Sequence, residues 1–323
     1  MFRKQTSFAR FLALAIAVAF AVSASPSRAA ALKECAVPDL ATTPVERLGG
    51  KRFSVEVRGT GPDVVLIPGL STSRSVWDGT VKALDGKYRL HLVQIRGFGD
   101  DAGVNGEGPV LEPFVAELAD YIDDEITNKG RAAPAIIGHS LGGLTALMIG
   151  ARYPQLAGRL MIVDSLPFIG TMVDPGATVA TIEPRAKAMA DGMRARPSAA
   201  ARTPITADPG PMSLAGFMSL RPEGRIAVAN LIAGADSRVT AQLFYEDSIT
   251  DMRPELAKIS APVLLLYAHD ASLMSADEIT KTFEPQFAGV ANFKAQRVED
   301  SRHFIMLDQP DIFHAAVKAF VEH

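Results

Sequence analysis

Cysteine is almost absent from this sequence, and several other features are scarce. Cys35 is the only cysteine among 323 residues, which excludes an intramolecular disulfide framework. The formal net charge is −3, with 33 basic and 36 acidic residues, so the chain lacks the basic footprint of a nucleic-acid-binding protein. No repeat of 20 to 50 residues and no metal-spaced cluster of His, Cys and Glu is visible. With 48% hydrophobic residues, the chain is globular and long enough for one large domain carrying an insert.

The amino terminus has the layout of a secretory signal peptide. Arg3, Lys4 and Arg10 precede the apolar run Phe11–Val22, and small residues follow as far as Ala31. This run is too short to span a bilayer, which needs about 20 apolar residues; an uncleaved anchor is the alternative. Cleavage after Ala31 leaves 292 residues and removes four basic and no acidic residues, so the net charge changes from −3 to −7. We predict a signal peptide over residues 1–31 and an exported protein, periplasmic or extracellular, without stable membrane insertion.

Short apolar runs alternate with segments of helical periodicity along most of the chain. This alternation predicts the α/β class, with a mostly parallel sheet flanked by helices. Between residues 165 and 260 the strand signal nearly disappears, which predicts an inserted helical cap and a core formed by residues 32–164 and 261–323. The predicted strands are Arg52–Val57, Val64–Ile67, Leu90–Ile95, Ala135–Ile137, Leu160–Val163, Pro262–Tyr267 and Phe293–Val298, and the main predicted core helices are Leu111–Ile126, Leu141–Tyr153 and Phe304–Phe320.

A candidate nucleophile lies in the segment Gly138-His139-Ser140-Leu141-Gly142. The segment has the form G-x-S-x-G, and it joins a predicted strand directly to a predicted helix. On such a sharp turn the glycines avoid collisions with neighbouring backbone, and the serine hydroxyl is held away from the sheet. The pattern predicts Ser140 as a nucleophile, whereas His139 is interpreted as structural.

A serine hydroxyl needs a general base, and His303 is the best placed of the six histidines. It lies between the last predicted strand and the final helix, on a loop at the same edge of the sheet as Ser140. A carboxylate must orient that base, and Asp270 follows directly on the strand Pro262–Tyr267. The order Ser140, Asp270, His303 is the one expected for this arrangement. Asp164, at the end of another strand, is the alternative, and Asp300 is expected to be solvated.

Two backbone amides are expected to stabilise the oxyanion that forms during acyl transfer. One is the amide of Leu141, which follows the nucleophile. The other is predicted to be the amide of Leu70, in the loop after the strand Val64–Ile67, because Pro68 has no N–H to donate and Gly69 allows close backbone approach.

Four segments together resemble the α/β-hydrolase family. They are VVLIPGLSTSRSVW, LVQIRGFGDDAG, IIGHSLGG and SRHFIMLDQPDIFHAAVKAFV, and they are similar to the family's oxyanion loop, its D-x-R-G-x-G loop, its nucleophile turn and its histidine loop with the last helix. The likeness runs roughly from Val45 to Val321. The chain departs from the family pattern at Pro68, where a histidine is usual, and at Gln94, where an aspartate is common. A serine nucleophile argues against the dehalogenase and epoxide-hydrolase branches.

The resemblance implies a serine hydrolase that cleaves an ester through an acyl-enzyme intermediate. No cofactor and no metal is expected, and the expected partner is a small-molecule substrate; nothing in the sequence predicts an oligomeric state. A small to medium apolar ester is predicted from the methionines of the cap. The alternatives are an aminopeptidase of the proline-iminopeptidase type, a cofactor-free haloperoxidase or perhydrolase, and a non-catalytic binding module. The aminopeptidase needs an acidic anchor, for which the candidates are Glu183, Asp191, Glu223, Asp236 and Glu246.

Overall fold

An eight-stranded sheet lies at the centre of the chain. The computed structural model describes residues 46–84, 86–195 and 203–322; the predicted signal peptide over residues 1–31 and Cys35 lie outside them. The strand order is β1-β2-β4-β3-β5-β6-β7-β8. β1, β2 and β4 pair in antiparallel fashion, and all other neighbours are parallel. The strands are β1 Glu46–Leu48, β2 Phe53–Arg58, β3 Asp63–Ile67, β4 Arg89–Ile95, β5 Ala135–His139, β6 Arg159–Val163, β7 Val263–His269 and β8 Phe293–Glu299.

Helices connect the parallel strands and flank the sheet, which confirms the predicted α/β class. No helix in the described ranges is long and apolar enough to cross a membrane. The helices are α1 Asp78–Leu84, α2 Leu111–Glu125, α3 Leu141–Arg152, α4 Val179–Arg194, α5 Leu214–Met218, α6 Pro222–Ala233, α7 Ser237–Ile249, α8 Ala276–Phe283, α9 Ile305–Asp308 and α10 Pro310–Glu322.

The central strands are buried on both faces because helices cover the sheet from both sides. Every residue of β3 is buried, as a parallel sheet between two helical layers requires. Side chains alternate across a strand, so Val65 and Ile67 belong to one hydrophobic cluster, whereas Val64 and Leu66 belong to the other. The first cluster includes residues of α2 and α3, and the second includes residues of α1 and α10. The predicted alternation of strands and helices thus reflects a core on each face of the sheet.

The carboxyl-terminal helix differs from the prediction. The segment Phe304–Phe320 was predicted as one helix, but the structure divides it into α9 and α10. Gln309, between them, has φ −130° and ψ 61°, outside the helical region. Pro310 explains the break, since proline disfavours the helical conformation at the preceding residue and is well tolerated at the start of a helix.

The segment between β6 and β7 contains helices joined by loops where it is described. It contains α4 to α7 and adds no named strand to the sheet within residues 164–195 and 203–262. It is held to the core by contacts such as the hydrogen bond from the Asp236 amide to the Gly97 carbonyl, 2.7 Å. The division into core and cap domains at residues 164 and 261 stays a prediction. We refer to residues 165–260 as the helical insert.

Candidate functional site

Ser140 lies on a strained turn between β5 and α3. Its φ is 54° and its ψ is −122°, a backbone conformation that non-glycine residues rarely adopt. The turn is also tightly packed: a Cβ added to Gly138 would lie 2.0 Å from the Gly142 carbonyl oxygen, and one added to Gly142 would lie 2.2 Å from the Ile67 carbonyl oxygen. Only glycine fits at these two positions, so the local geometry is that of a nucleophile turn.

His303 forms its carboxylate contact with Asp164. The distance between His303 Nδ1 and Asp164 Oδ2 is 2.7 Å. Asp164 directly follows β6, the strand beside β5, and its other carboxylate oxygen accepts a hydrogen bond from the Ala268 amide at 2.9 Å. Asp164 also has a positive φ of 46°. Two loops at the carboxyl edge of the sheet therefore bring the imidazole and the carboxylate together.

The expected contact between Asp270 and His303 is not present, and this part of the predicted site is corrected. Asp270 Oδ2 instead accepts from Arg302 Nε at 2.8 Å and lies 2.7 Å from Arg302 Nη2. Its other oxygen accepts from the Ser272 amide at 2.9 Å and from the Ser272 hydroxyl at 2.7 Å. Burial alone would raise the pKa of Asp270, but the hydrogen bonds from Ser272 and Arg302 hold it below its usual value. The Asp270 carboxylate is engaged by Arg302 and Ser272, whereas Asp164 contacts the His303 ring.

His139 joins the nucleophile turn to the histidine loop. Its Nε2–H donates to the His303 carbonyl at 2.9 Å, and the two rings lie 4.6 Å apart between centroids. Burial, followed by the proximity of His303, holds the pKa of His139 well below its ordinary value. His139 is therefore a neutral structural residue, and its hydrogen bond holds the His303 loop against the nucleophile turn.

The Ser140 hydroxyl forms no direct hydrogen bond with the His303 ring within the described part of the chain. Catalytic hydrogen bonds are often long before substrate binds and shorten in the complex. The side chains share one edge of the sheet, because Ser140 immediately follows β5 and Asp164, the partner of His303, immediately follows β6.

The predicted oxyanion loop lies against the nucleophile turn. A Cβ added to Gly69 would lie 3.0 Å from the Ser140 Cβ and 3.0 Å from His139 Nδ1. Leu70 is the next residue, so its backbone passes close to the serine. Leu141 is the first residue of α3, where backbone N–H groups have no partner within the helix. Both predicted amide donors lie beside Ser140, and their role in stabilising an oxyanion stays a prediction.

A cavity of about 360 Å³ is lined by residues that follow the two site loops along the chain, and Ser140, Asp164 and His303 are not among them. It lies between α6 of the helical insert and the segment that follows the oxyanion loop. Its lining mixes polar and apolar side chains, among them Ser73, Ser75, Asn230, Leu231 and Leu307. Ser73 is three residues beyond Leu70, and Leu307 is four beyond His303. Its volume falls at the lower end of the range of small-molecule pockets.

Sequence reasoning missed one residue near the site, Asp247 on α7. The carboxyl group is surrounded by protein, and the charge of His303 acts on it. The neighbouring Glu246, an anchor candidate from the sequence, has a different environment. That side chain accepts hydrogen bonds from the Leu111 amide at 2.7 Å and the Val110 amide at 3.0 Å, so it caps the start of α2. Adjacent residues of a helix point in different directions, so the two acids have different surroundings. The sequence pattern does not show which of them faces the site.

Asp308 connects the histidine loop to the helical insert. The Asp308 side chain is buried and accepts hydrogen bonds from the Ser219 hydroxyl at 2.6 Å, the Leu220 amide at 2.9 Å and the Arg302 amide at 2.9 Å. It therefore ties the helical insert to the loop that carries His303. Within the described ranges, no group of three or more His, Cys, Asp or Glu side chains could hold a metal ion.

Comparison with known proteins gives a consistent picture. The sequence model of the "Alpha/beta hydrolase family" matches residues 64–316. A pimeloyl-[acyl-carrier protein] methyl ester esterase of Aeromonas hydrophila is 38% identical over 114 residues, which cover 35% of this chain and 42% of that protein. One from Vibrio campbellii is 34% identical over 109 residues, 34% of this chain and 39% of that protein. The chain thus spans less than half the length of these curated relatives.

Solved structures resemble this chain over most of its length. The structure of a thermophilic esterase from Thermogutta terrifontis has a TM-score of 0.66 at 17% identity and covers 86% of this chain and 98% of that one. At such identity the likeness shows the fold alone.

Proposed function

Since the chain belongs to the alpha/beta hydrolase family, we propose that it is a serine hydrolase that cleaves carboxylic esters through an acyl-enzyme intermediate. The observation that carries this proposal is the 2.7 Å hydrogen bond between His303 Nδ1 and Asp164, formed beside a serine held at φ 54°. Strained backbone of this kind persists where the surrounding structure maintains it, and it clusters at catalytic sites. The esterase names of the curated relatives support ester chemistry.

In the proposed mechanism His303 acts first as a base and then as an acid. With Nδ1–H held by Asp164, the free Nε2 accepts the proton of the Ser140 hydroxyl as the oxygen attacks the ester carbonyl. The developing negative charge is stabilised by the amides of Leu141 and Leu70. When the C–O bond of the ester breaks, the protonated His303 gives its proton to the leaving alcohol. A water molecule, deprotonated by His303, then releases the acid from Ser140.

The proposed substrate is a small to medium ester with a largely apolar body. We take the size from the cavity of about 360 Å³ whose lining includes Ser73, three residues beyond Leu70, and Leu307, four residues beyond His303. Apolar character is supported by its lining, which includes Val76, Leu231 and Leu307. A longer acyl chain would have to extend out of this space, so we expect activity to fall as the chain lengthens beyond the cavity.

The test is covalent labelling together with turnover of p-nitrophenyl esters of two to ten acyl carbons. We expect a fluorophosphonate probe to modify wild-type protein at Ser140, and Ser140→Ala to abolish both labelling and turnover. Tryptic mapping of the labelled peptide identifies the site. Labelling that persists in Ser140→Ala, or folded wild-type protein that neither reacts nor hydrolyses any ester, would overturn the proposal. The second outcome would favour a non-catalytic binding module.

We also propose that the chain is exported, because residues 1–31 have the layout of a signal peptide. Expression of the full chain with a carboxyl-terminal tag in a Gram-negative host should give a processed periplasmic or secreted product. Amino-terminal sequencing is expected to begin at Leu32. An unprocessed chain that stays in the cytoplasmic fraction would contradict export without affecting the proposed chemistry.

A further inference from the structure

Asp247 is an acidic side chain without a partner beside the candidate active site. It lies near the end of α7, and it forms no hydrogen bond or ion pair through its carboxylate in the described part of the chain. Protein surrounds the group, yet part of the residue remains accessible. Burial raises the pKa of Asp247 to about 7, and nearby His303 opposes that rise.

Most other acidic side chains of the helical insert have partners. Asp208 lies against Arg225, and Tyr245 donates to Glu183 at 2.7 Å. The remaining pairs are Asp236 with Arg238, Asp191 with Lys187, Asp251 with Arg253, and Glu246 with the start of α2. Asp247 is therefore unlike its neighbours: it keeps an enclosed carboxyl group unpaired, which is costly for folding. Groups that carry such a cost are characteristic of functional sites.

The orientation of α7 places Asp247 on the face that covers the site. Thr240 is seven residues earlier, which is close to two helical turns, so the two side chains lie on one face about 10 Å apart along the axis. The Thr240 hydroxyl lies 2.9 Å from the hydroxyl of Ser71, the residue that follows Leu70. At its other end the same face approaches His303 closely enough for the two charges to interact. This face thus runs from the predicted oxyanion loop to the histidine.

We propose that Asp247 determines substrate specificity by accepting a hydrogen bond from a donor group, a hydroxyl or an ammonium, carried by the otherwise apolar ester. This inference rests on the proposed esterase function and names the substrate class more closely. A substrate donor would supply the partner that the protein itself does not provide, and an ammonium would add the attraction of opposite charges in a region shielded from water. A carboxylate on the substrate would meet repulsion at the same place.

The experiment compares esters of matched shape that differ in one terminal group. Ethyl heptanoate, ethyl 6-hydroxyhexanoate and ethyl 6-aminohexanoate end in methyl, hydroxyl and ammonium, and monoethyl adipate supplies a carboxylate. A shorter series, ethyl butanoate, ethyl 3-hydroxypropanoate and ethyl 3-aminopropanoate, covers a donor nearer to the ester. We expect kcat/KM for at least one donor-bearing ester to exceed that of its methyl counterpart by tenfold or more, and the carboxylate ester to be the poorest.

Two substitutions test the assignment to Asp247. Asp247→Leu should bring the ratio of donor to methyl ester down to one or below, while Asp247→Asn should remove the preference for ammonium over hydroxyl. Both variants remove an unpaired enclosed acid, so we expect them to fold. Glu223→Gln, at an exposed position of the same insert, is the matched control and should leave the ratio unchanged. Comparison of kcat/KM for the hydroxyl ester and the ammonium ester shows which donor the site binds.

The outcomes separate this inference from the proposed function. Efficient ester hydrolysis with no preference for either donor, or a preference that survives in Asp247→Leu, overturns the role of Asp247 and leaves the esterase proposal intact. Absence of both ester turnover and fluorophosphonate labelling overturns the esterase proposal instead. In that case the contact is tested by calorimetric titration of ethyl 6-aminohexanoate and ethyl heptanoate into Ser140→Ala. Tighter binding of the ammonium ester supports the contact if the difference is lost in Ser140→Ala/Asp247→Leu. Equal binding of the two esters refutes it.

Discussion

Two histidine–aspartate pairs lie at opposite ends of the same sheet. Both have a contact between an imidazole and a carboxylate, but their surroundings differ. His303 bonds to Asp164 at 2.7 Å at the carboxyl ends of the parallel strands. His91 Nε2 bonds to Asp63 at 2.9 Å, and Asp63 is the first residue of β3. Both contacts join an imidazole nitrogen to a carboxylate. Only the first has a serine on a strained turn nearby.

The surroundings of the two pairs explain their different roles. Asp63 is also paired with Arg89 at 3.2 Å and with Arg131, and the second nitrogen of His91 bonds to the Tyr121 hydroxyl at 2.7 Å. The His91 side chain is completely buried, whereas 27% of the His303 side chain remains exposed. Every polar atom of the His91 ring is thus engaged. His303 keeps Nε2 available, so it can transfer a proton, whereas His91 holds two strands and a helix together.

The largest loss of activity is expected on substitution of Asp164. Asp164→Asn leaves the shape of the residue but no longer fixes the correct tautomer of His303, so we expect kcat on the best p-nitrophenyl ester to fall by roughly 10³–10⁴-fold. Asp270→Asn is the matched control and should lower kcat by less than about tenfold, because Asp270 bonds to Arg302 and not to His303. Stopped assays at saturating ester measure both. Equal losses in the two variants would show that Asp270 acts on the histidine after all.

At the pair formed by His91 and Asp63, we expect substitution to lower the stability of the fold and to leave the reactivity of Ser140 unchanged. Asp63→Asn leaves Arg89, Arg131 and His91 without their shared carboxylate, and breaking a buried charge pair costs about 3–5 kcal/mol. Urea denaturation should show this loss, while the fluorophosphonate reactivity of the folded fraction stays at the wild-type rate. Glu125→Gln removes a pair with the exposed Lys129 and should cost less than about 1 kcal/mol. A denaturation midpoint of Asp63→Asn equal to that of wild type would refute the structural role.

The two regions also show what could be predicted from the sequence. The strands, the strained turn at Ser140 and the loop that carries His303 were predictable because each has a local signal: a short apolar run, glycines spaced around a serine, and a histidine before the last helix. The catalytic roles of Ser140 and His303 stay predictions. The predicted strand Leu160–Val163 corresponds to β6 Arg159–Val163, and Pro262–Tyr267 corresponds to β7 Val263–His269. The three-residue β1 and the helices α1, α7 and α8 were not singled out, since their apolar patterns are short or weak.

Which acid contacts His303 was not predictable in the same way. Asp164 and Asp270 both follow parallel strands at the same edge of the sheet, so the pattern of the sequence admits either. The choice depends on which carboxylate is already occupied, and Arg302 occupies that of Asp270 through a contact across 32 residues. Arg302 immediately precedes His303, so a basic residue beside the histidine was the one sequence feature that could have indicated the pairing with Asp270. The unpaired state of Asp247 likewise arises from tertiary packing, which no local pattern records.

A weaker but more selective effect is expected at His91 and His139, two buried histidines whose pKa the fold lowers. Burial is the first cause that lowers the pKa of both His91 and His139. In the unfolded chain each takes up a proton near pH 6.5, which the folded protein does not accept until a lower pH. The unfolded state therefore binds more protons below about pH 6.5, so this part of the stability is present above that pH and is lost as the pH falls.

His91→Gln and His139→Gln should each flatten this dependence by up to one proton, which is about 1.4 kcal/mol per pH unit. Urea unfolding at pH 7.5, 6 and 5 measures it. Asp247 contributes the opposite trend, since its raised pKa lets the folded state bind the extra proton, but that trend is common to all variants and cancels in the differences. Only His139→Gln should also change ester turnover, because His139 donates to the His303 carbonyl while His91 lies at the far end of the sheet. Stability profiles parallel to wild type in both variants would mean that neither histidine is kept neutral by the fold. Equal turnover of the two variants would contradict the positioning role of His139.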